Sequence, residues 1–258
     1  MGLLTINQFQ ILAFTLVFLR CLAFFVSWPI FSGTNLPVQV KVLLSLLVGM
    51  ICFSLIPPES YPKIEAYPTM IGLGIKEMAI GFAIGFLANL IFHGVMIAGE
   101  LISMAMGLSA SQMFNPSTGV QQSSINQLYY FFAAFLFLAI RGHHYFIKGL
   151  YQSFELVPLS VIFPRISEIG QFAMLGAKVI EVGLMLAAPV LVSILLINFS
   201  LGILGRAVPQ INVLITSLPI NALAGLIICI IVLPFFLESL KAEMIDFTDI
   251  IFSFLRTF

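Results

Sequence analysis

The sequence predicts an all-α integral membrane fold of about six long apolar helices arranged as kinked hairpins, and three observations carry that prediction. Only 9% of the 258 residues are charged while 60% are hydrophobic, against about 25% charged in an ordinary soluble domain. Apolar runs of bilayer-crossing length recur along the whole chain. Prolines and ionisable residues interrupt those runs, and such interruptions normally face protein or water rather than lipid. With a mean hydropathy of +1.13, the chain cannot cover its surface with its own polar groups, so lipid or partner chains must do so. A formal net charge of zero gives no basis for a nucleic-acid partner.

The apolar segments fall at about 9–31, 38–57, 71–98, 125–141, 171–201 and 211–237. Most reach the roughly 20 residues that a bilayer core requires. The fourth is short, and an extension through Phe146 and Leu150 would complete it. The first has no basic stretch before it and no small-residue cleavage site after it, so it is expected to stay in the mature chain. Turn chemistry separates the segments: Ser32-Gly33-Thr34-Asn35 with Pro37, then Pro57-Pro58, Pro62 and Pro68, then Asn115-Pro116-Ser117-Thr118-Gly119. If all six segments span, one side carries Lys63, Lys76, Arg141, Lys148, Arg165, Lys241 and Arg256, and the other only Lys41 and Arg206. The positive-inside rule then places both termini in the cytoplasm.

Several ionisable residues lie inside apolar segments. Arg20 sits in the first, Lys76 and Glu77 open the third, Glu100 follows it, and Lys178 and Glu181 lie three apart in the fifth, where they can pair on one helix face. Structural neutralisation is the simpler account of these charges, with a proton or ion relay as the rival. Pro29, Pro189, Pro219 and Pro234 lie within or near helix ends and free carbonyls that neighbouring protein must satisfy. Gly81 and Gly85 have GxxxG spacing, which predicts a close helix crossing without naming the partner. Cys21, Cys52 and Cys229 are far apart in apolar stretches and read as small buried hydrophobes.

No enzymatic constellation is present. His143 and His144 are adjacent, so on a helix they point about 100° apart and cannot chelate one ion from one face. No HExxH, phosphate-loop, dinucleotide or serine-nucleophile motif occurs. The chain is therefore expected to be non-catalytic and without a cofactor or metal. A secondary transporter and a pure assembly scaffold are the alternatives on residues alone; the former would need matching repeat halves around a midplane site.

Two segments stand out. The first runs from Gly107 to about Gly119 and includes Leu108, Ser109, Met113, Phe114, Asn115 and Pro116; it has no charge, many small polar groups, and a bulky methionine and phenylalanine. Composition leaves it open as a surface loop or as a compliant plug lining a pore. The second joins the last two apolar runs and carries Arg206, Pro209, Gln210, Asn212 and Pro219. It reads as a helical hairpin whose polar tip can hydrogen-bond neighbouring backbones.

At these segments the chain resembles the FliR family of the flagellar type III export apparatus, which has homologues in type III secretion systems. The resemblance rests on Pro209-Gln210-x-Asn212-Val213 with Pro219 and Ala224-Gly225, on Gly99-Glu100, Met106-Gly107-Leu108 and Phe114-Asn115-Pro116, and on Arg20, the Pro37 region and Arg141-Gly142-His143. It covers nearly the whole chain. It implies a hetero-oligomeric export gate in the bacterial inner membrane, at the flagellar basal body, through which unfolded export substrates pass. FliP-like, FliQ-like and FlhB-like subunits and membrane lipid are the implied partners. It further implies a FliP-like part over 1–170, a FliQ-like hairpin over 171–258, a pore plug at 107–119, and helices that sit partly above the ordinary membrane plane. Asn115 stands where related chains often carry Asp, which removes a charge from that plug. No FlhB-like extension follows Phe258, so a fused form is not expected.

Overall fold

The computed structural model describes residues 8–29, 37–62, 67–108, 123–160, 169–208, 210 and 212–255. All regular structure among them is helical: α1 (Gln8–Ser27), α2 (Val38–Leu55), a 3-10 turn (Pro58–Ser60), α3 (Tyr67–Ala105), α4 (Ser124–Ala139), α5 (Gly142–Leu156), α6 (Ile169–Ala207) and α7 (Val213–Leu255). Helices α1, α2, α3, α6 and α7 contain stretches long and apolar enough to cross a bilayer, whereas α4 and α5 reach that standard only as a broken pair. The expected all-α membrane fold is therefore present.

Three helices outrun their apolar segments. Helices α3 and α6 have 39 residues each and α7 has 43. The last segment was expected to end near 237, but the helix continues past Glu238, Lys241 and Glu243. Loss of hydrophobicity is not loss of helix propensity: Leu240, Met244 and Phe247 stay buried while Glu238, Lys241 and Asp246 face outward, so the continuous apolar run gives way to an amphipathic one. At 1.5 Å per residue such helices are about 60 Å long, twice the roughly 30 Å hydrocarbon core.

The fourth segment does not extend straight through Phe146. Helix α4 ends at Ala139 and α5 starts afresh at Gly142, because Arg141 between them takes a left-handed conformation with φ 56° and ψ 32°. That conformation costs an L-residue other than Gly or Asn roughly 1–2 kcal/mol. Arg141→Gly should therefore raise the thermal unfolding midpoint in detergent, by an amount corresponding to about 1 kcal/mol. A lowered midpoint would mean that contacts of the side chain outweigh the backbone strain.

The chain divides into two compact units: Met1–Leu90 with Arg141–Phe172 and Asp246–Phe258, and Ile91–Ile140 with Ala173–Ile245. In the first unit α1 is packed by both α2 and α3. Phe14 meets Phe53 edge-on with centroids 5.6 Å apart, and Phe53 stacks on Tyr61 at 5.4 Å. Gly81 and Gly85 meet α1: a Cβ added to Gly81 would lie 2.1 Å from the Arg20 carbonyl oxygen, and one on Gly85 would lie 2.0 Å from Ser27 Oγ. The GxxxG partner is thus α1. Trp28, Phe24, Leu73, Ile84, Leu87 and Leu150 are buried in this unit.

The second unit joins the later part of α3 to α4, α6 and α7. Phe92 contacts Tyr130 and Phe137 of α4 at 5.6 and 5.8 Å, and Tyr129 packs edge-on against Phe236 of α7 at 4.6 Å. Gly94 and Gly183 face each other where α3 crosses α6, since a Cβ on Gly183 would lie 3.0 Å from the Gly94 carbonyl oxygen. Helix α4 is capped by Ser123, whose Oγ accepts from the Asn126 N–H at 3.2 Å. Pro189, Pro219 and Pro234 lie inside α6 and α7. Large apolar side chains such as Phe135, Phe199, Ile230 and Ile231 are 70% or more exposed, so these helices need lipid or other chains to cover them. Cys21, Cys52 and Cys229 are buried free thiols, as their apolar settings suggested.

Candidate functional site

Three groups of residues singled out by the sequence have a described structural setting. The first is an ion cluster in the interior of the first unit. Arg20 and Glu77 are fully buried and Lys76 is 6% exposed. Arg20 Nε donates to Glu77 Oε2, and Lys76 Nζ lies 2.7 Å from Glu77 Oε1. The guanidinium also reaches α5: Nη1 donates to the Ser153 carbonyl at 2.7 Å and to Ser153 Oγ at 3.0 Å, and Nη2 donates to the Val157 carbonyl at 3.0 Å. Phe154 places its ring 4.2 Å from the guanidinium carbon. Lys76 Nζ donates to the Pro158 and Leu159 carbonyls at 3.1 and 3.4 Å.

The electrostatics of this cluster are legible from its parts. Two cations share one carboxylate, leaving one positive charge in excess. The carbonyls at and just beyond the C-terminus of α5 carry the negative end of the helix dipole, and they receive that excess. Arg20 and Lys76 thereby serve as a C-terminal cap for α5 supplied from two other helices. The sequence marked Arg20, Lys76 and Glu77 as charges needing cover, but Ser153 and the α5 carbonyls carried no sequence signal of their own.

The second group is the pair in α6. Lys178 Nζ lies 3.5 Å from Glu181 Oε1, as the three-residue spacing suggested. Glu181 is 68% exposed at its side chain, however, so it is not a buried charge; on this helix face its spacing turns it outward. The shielded partner is Glu243 of α7, whose Oε2 also lies 3.5 Å from Lys178 Nζ. Glu243 went unnoticed in the sequence because it lies beyond the last apolar segment. Glu100 is half-buried on α3, beside Gly99, where an added Cβ would lie 2.6 Å from Asn126 Cα.

The third group is the base of the central loop and the C-terminal hairpin, which the second unit brings together. Helix α3 ends in a Schellman turn: Leu108 N–H donates to the Ser103 carbonyl and Gly107 N–H to the Met104 carbonyl, both at 3.0 Å. Gly107 has φ +77°, which suits glycine and strains other residues. Two positions of α7 close over this corner. A Cβ on Gly107 would lie 2.7 Å from Leu218 Cδ2, and one on Gly225 would lie 2.6 Å from Met106 Cγ. Ser109, Met113, Phe114, Asn115, Pro116 and Gly119 lie outside the described residues, and so does Pro209.

At the hairpin, Arg206 is exposed in the last turn of α6, and Gln210 and Pro219 are exposed as well. Asn212 opens α7: its Oδ1 accepts from Ile215 N–H at 3.4 Å, and its carbonyl accepts from Thr216 N–H and Thr216 Oγ1 at 3.0 Å each. One further polar contact had no sequence flag. Asn221 Nδ2 donates to Asn198 Oδ1 at 2.8 Å, tying α7 to α6 inside an apolar hairpin. Among the described residues no three His, Cys, Asp or Glu side chains converge as a metal site would require. What the geometry offers is close-packed helices, internally paired charge and a glycine corner from which the central segment leaves.

The chain resembles a known group over most of its length. The family model described as "Bacterial export proteins, family 1" matches residues 11–246. The flagellar biosynthetic protein FliR of Bacillus subtilis (strain 168) is 33% identical over 223 residues, covering 85% of each chain. Its counterpart in Escherichia coli (strain K12) is 28% identical over 237 residues, 88% of each chain. That of Aquifex aeolicus (strain VF5) is 26% identical over 245 residues, 94% of this chain and 93% of the relative.

Proposed function

The chain belongs to the bacterial export proteins, family 1, and from that membership we propose that it is a non-catalytic subunit of the flagellar type III protein export gate. It is a multi-pass protein of the bacterial inner membrane, at the flagellar basal body. It works with FliP-like, FliQ-like and FlhB-like subunits to form and seal the pore through which unfolded flagellar proteins cross. Residues 1–170 correspond to a FliP-like part and 171–258 to a FliQ-like hairpin. Relatives of nearly the same length that carry a flagellar biosynthetic name support this reading.

The observation that carries it furthest is the length of α3, α6 and α7. Helices of 39, 39 and 43 residues extend beyond a single hydrocarbon core, as subunits of a gate raised partly above the membrane would. Such subunits also cover each other's apolar faces, which accounts for the exposed aromatic and branched side chains.

In this mechanism the segment 107–119 seals the resting pore. Met113 and Phe114 supply bulk, and Ser109, Asn115 and the neighbouring polar groups supply hydrogen bonds that yield when a substrate enters. The Met106–Gly107 corner, seated against Leu218 and Gly225, fixes where that segment begins. Energy for export comes from other components of the apparatus. Deleting 110–116 should leave assembly with the partner subunits intact while raising ion leak across the membrane, read by conductance or by growth with permeant solutes. If the deletion variant assembles and leaks no more than the parent, the plug assignment is wrong. Crosslinking from position 114 to an arrested substrate separates a pore-lining role from a scaffold: the gate reading expects a covalent adduct.

A further inference from the structure

Helix α5 differs from the other helices in how its polar residues are placed. Its buried residues Gly142, Phe146, Gly149, Leu150, Ser153 and Phe154 recur at three- and four-residue spacing and form one inner face. The opposite face carries His144, Tyr145 and Lys148, all exposed, and their spacings of three and four residues put them in one stripe. Arg141, also exposed, stands at the N-terminal end of the helix, outside its regular backbone. Among the described residues, this is the only helix that exposes two Lys or Arg side chains, counting its capping Arg141. Glu155, the one acid of α5, is exposed seven residues after Lys148, about 10 Å further along the axis.

The helix that carries the stripe is braced on its inner side. Arg20 and Lys76 fix the C-terminal carbonyls of α5, and Phe146 packs on Trp28 with centroids 6.4 Å apart. An amphipathic helix with an apolar inner face and an outer face of cations and tyrosine matches the chemistry of the bilayer boundary. Cations there meet phosphate, and tyrosine rings sit at headgroup level. The positive end of the helix dipole lies at Arg141 and adds to the same field.

We propose that this face of α5 is a binding site for the headgroups of anionic phospholipids, with Arg141 and Lys148 as the cationic anchors, His144 as a hydrogen-bonding neighbour and Tyr145 at the boundary with the acyl chains. The charge of the stripe selects an anionic headgroup over a zwitterionic one. The chain's membrane setting supplies such lipid continuously.

The test is native mass spectrometry of the purified protein after equilibration with phosphatidylglycerol or phosphatidylcholine. Lys148→Gln and Arg141→Gly should each lower retained phosphatidylglycerol about fivefold, and the double variant more, because each cation that meets an anionic headgroup contributes about that factor. Phosphatidylcholine retention should not change, and Lys241→Gln, an exposed cation on another helix, should leave both lipids as in the parent. Raising salt on the unsubstituted protein should bring its phosphatidylglycerol retention down toward that of the double variant. Equal retention of the two lipids by the parent, or unchanged phosphatidylglycerol in the double variant, would overturn the proposal.

Discussion

Glu77→Gln is expected to cost more stability than any other single charge removal in this protein. The carboxylate is fully buried and pairs with both Arg20 and Lys76. Its loss would remove the carboxylate that both interior cations pair with, while the carbonyls, the Ser153 hydroxyl and the Phe154 ring around them remain. Breaking a buried ion pair from one side costs about 3–5 kcal/mol, a large share of the roughly 5–15 kcal/mol that keeps a domain folded. Lys76→Met is the informative contrast. It removes an ion pair and the two bonds to the Pro158 and Leu159 carbonyls, yet it leaves Arg20 and Glu77 as a neutral pair. Its cost should be nearer about 1.5–3 kcal/mol, the scale of a lost hydrogen bond to a charged group. Unfolding in graded denaturing detergent would rank the two, and steady-state level in the membrane should follow the same order. If Lys76→Met proved as damaging as Glu77→Gln, the excess charge would not be the governing quantity. The cap on α5 would then matter more than neutrality.

The contrast also marks what could be read without coordinates. An arginine and a glutamate within apolar runs had to find partners, because an unpaired interior charge is too costly to keep. Burial of Arg20, Lys76 and Glu77 was therefore foreseeable. Their mutual pairing was not, since Arg20 and Glu77 are 57 positions apart and no periodicity connects them. Ser153 was invisible for a related reason: serine is common in apolar helices and usually bonds its own preceding turn, as Ser153 also does to Leu150. The apolar pattern located the long helices but misjudged where they stop, because hydrophobicity reports contact with lipid or core while helix continuity depends on propensity and caps. The expected extension of the fourth segment failed at one residue, Arg141, whose left-handed backbone has no signature in an arginine side chain. For the loop and hairpin, composition showed that they were unusual. The seating of Met106 on Gly225 required the fold.

Gly81→Ala should be the most damaging change of a single methyl in the first unit, and the reason lies in the α1–α3 crossing. The new Cβ would fall 2.1 Å from the Arg20 carbonyl oxygen and 2.9 Å from its carbonyl carbon. Both are backbone atoms, so no rotamer change relieves the clash and α1 must move away from α3. Overpacking typically costs 1–3 kcal/mol when side chains can adjust; with backbone on the far side, the upper end of that range, about 3 kcal/mol, is the expected minimum. The displacement would also draw Arg20 away from Glu77, coupling the steric clash to the buried charge. Gly72, on the same helix, provides the control because a Cβ there meets nothing within 4 Å among the described residues. Gly72→Ala should be neutral or stabilising by up to about 1 kcal/mol, the difference in helix propensity between the two residues. Denaturing-detergent midpoints should therefore move in opposite directions for the two glycine-to-alanine changes, or move for Gly81 alone. A double-mutant cycle between Gly81→Ala and Glu77→Gln adds a further requirement. If the crossing positions the ion cluster, their costs should fall short of additive by 0.5 kcal/mol or more, since the first change already disrupts what the second removes. Strict additivity would mean that helix contact and charge pairing are independent supports, and that the cluster keeps its geometry even when α1 is pushed outward.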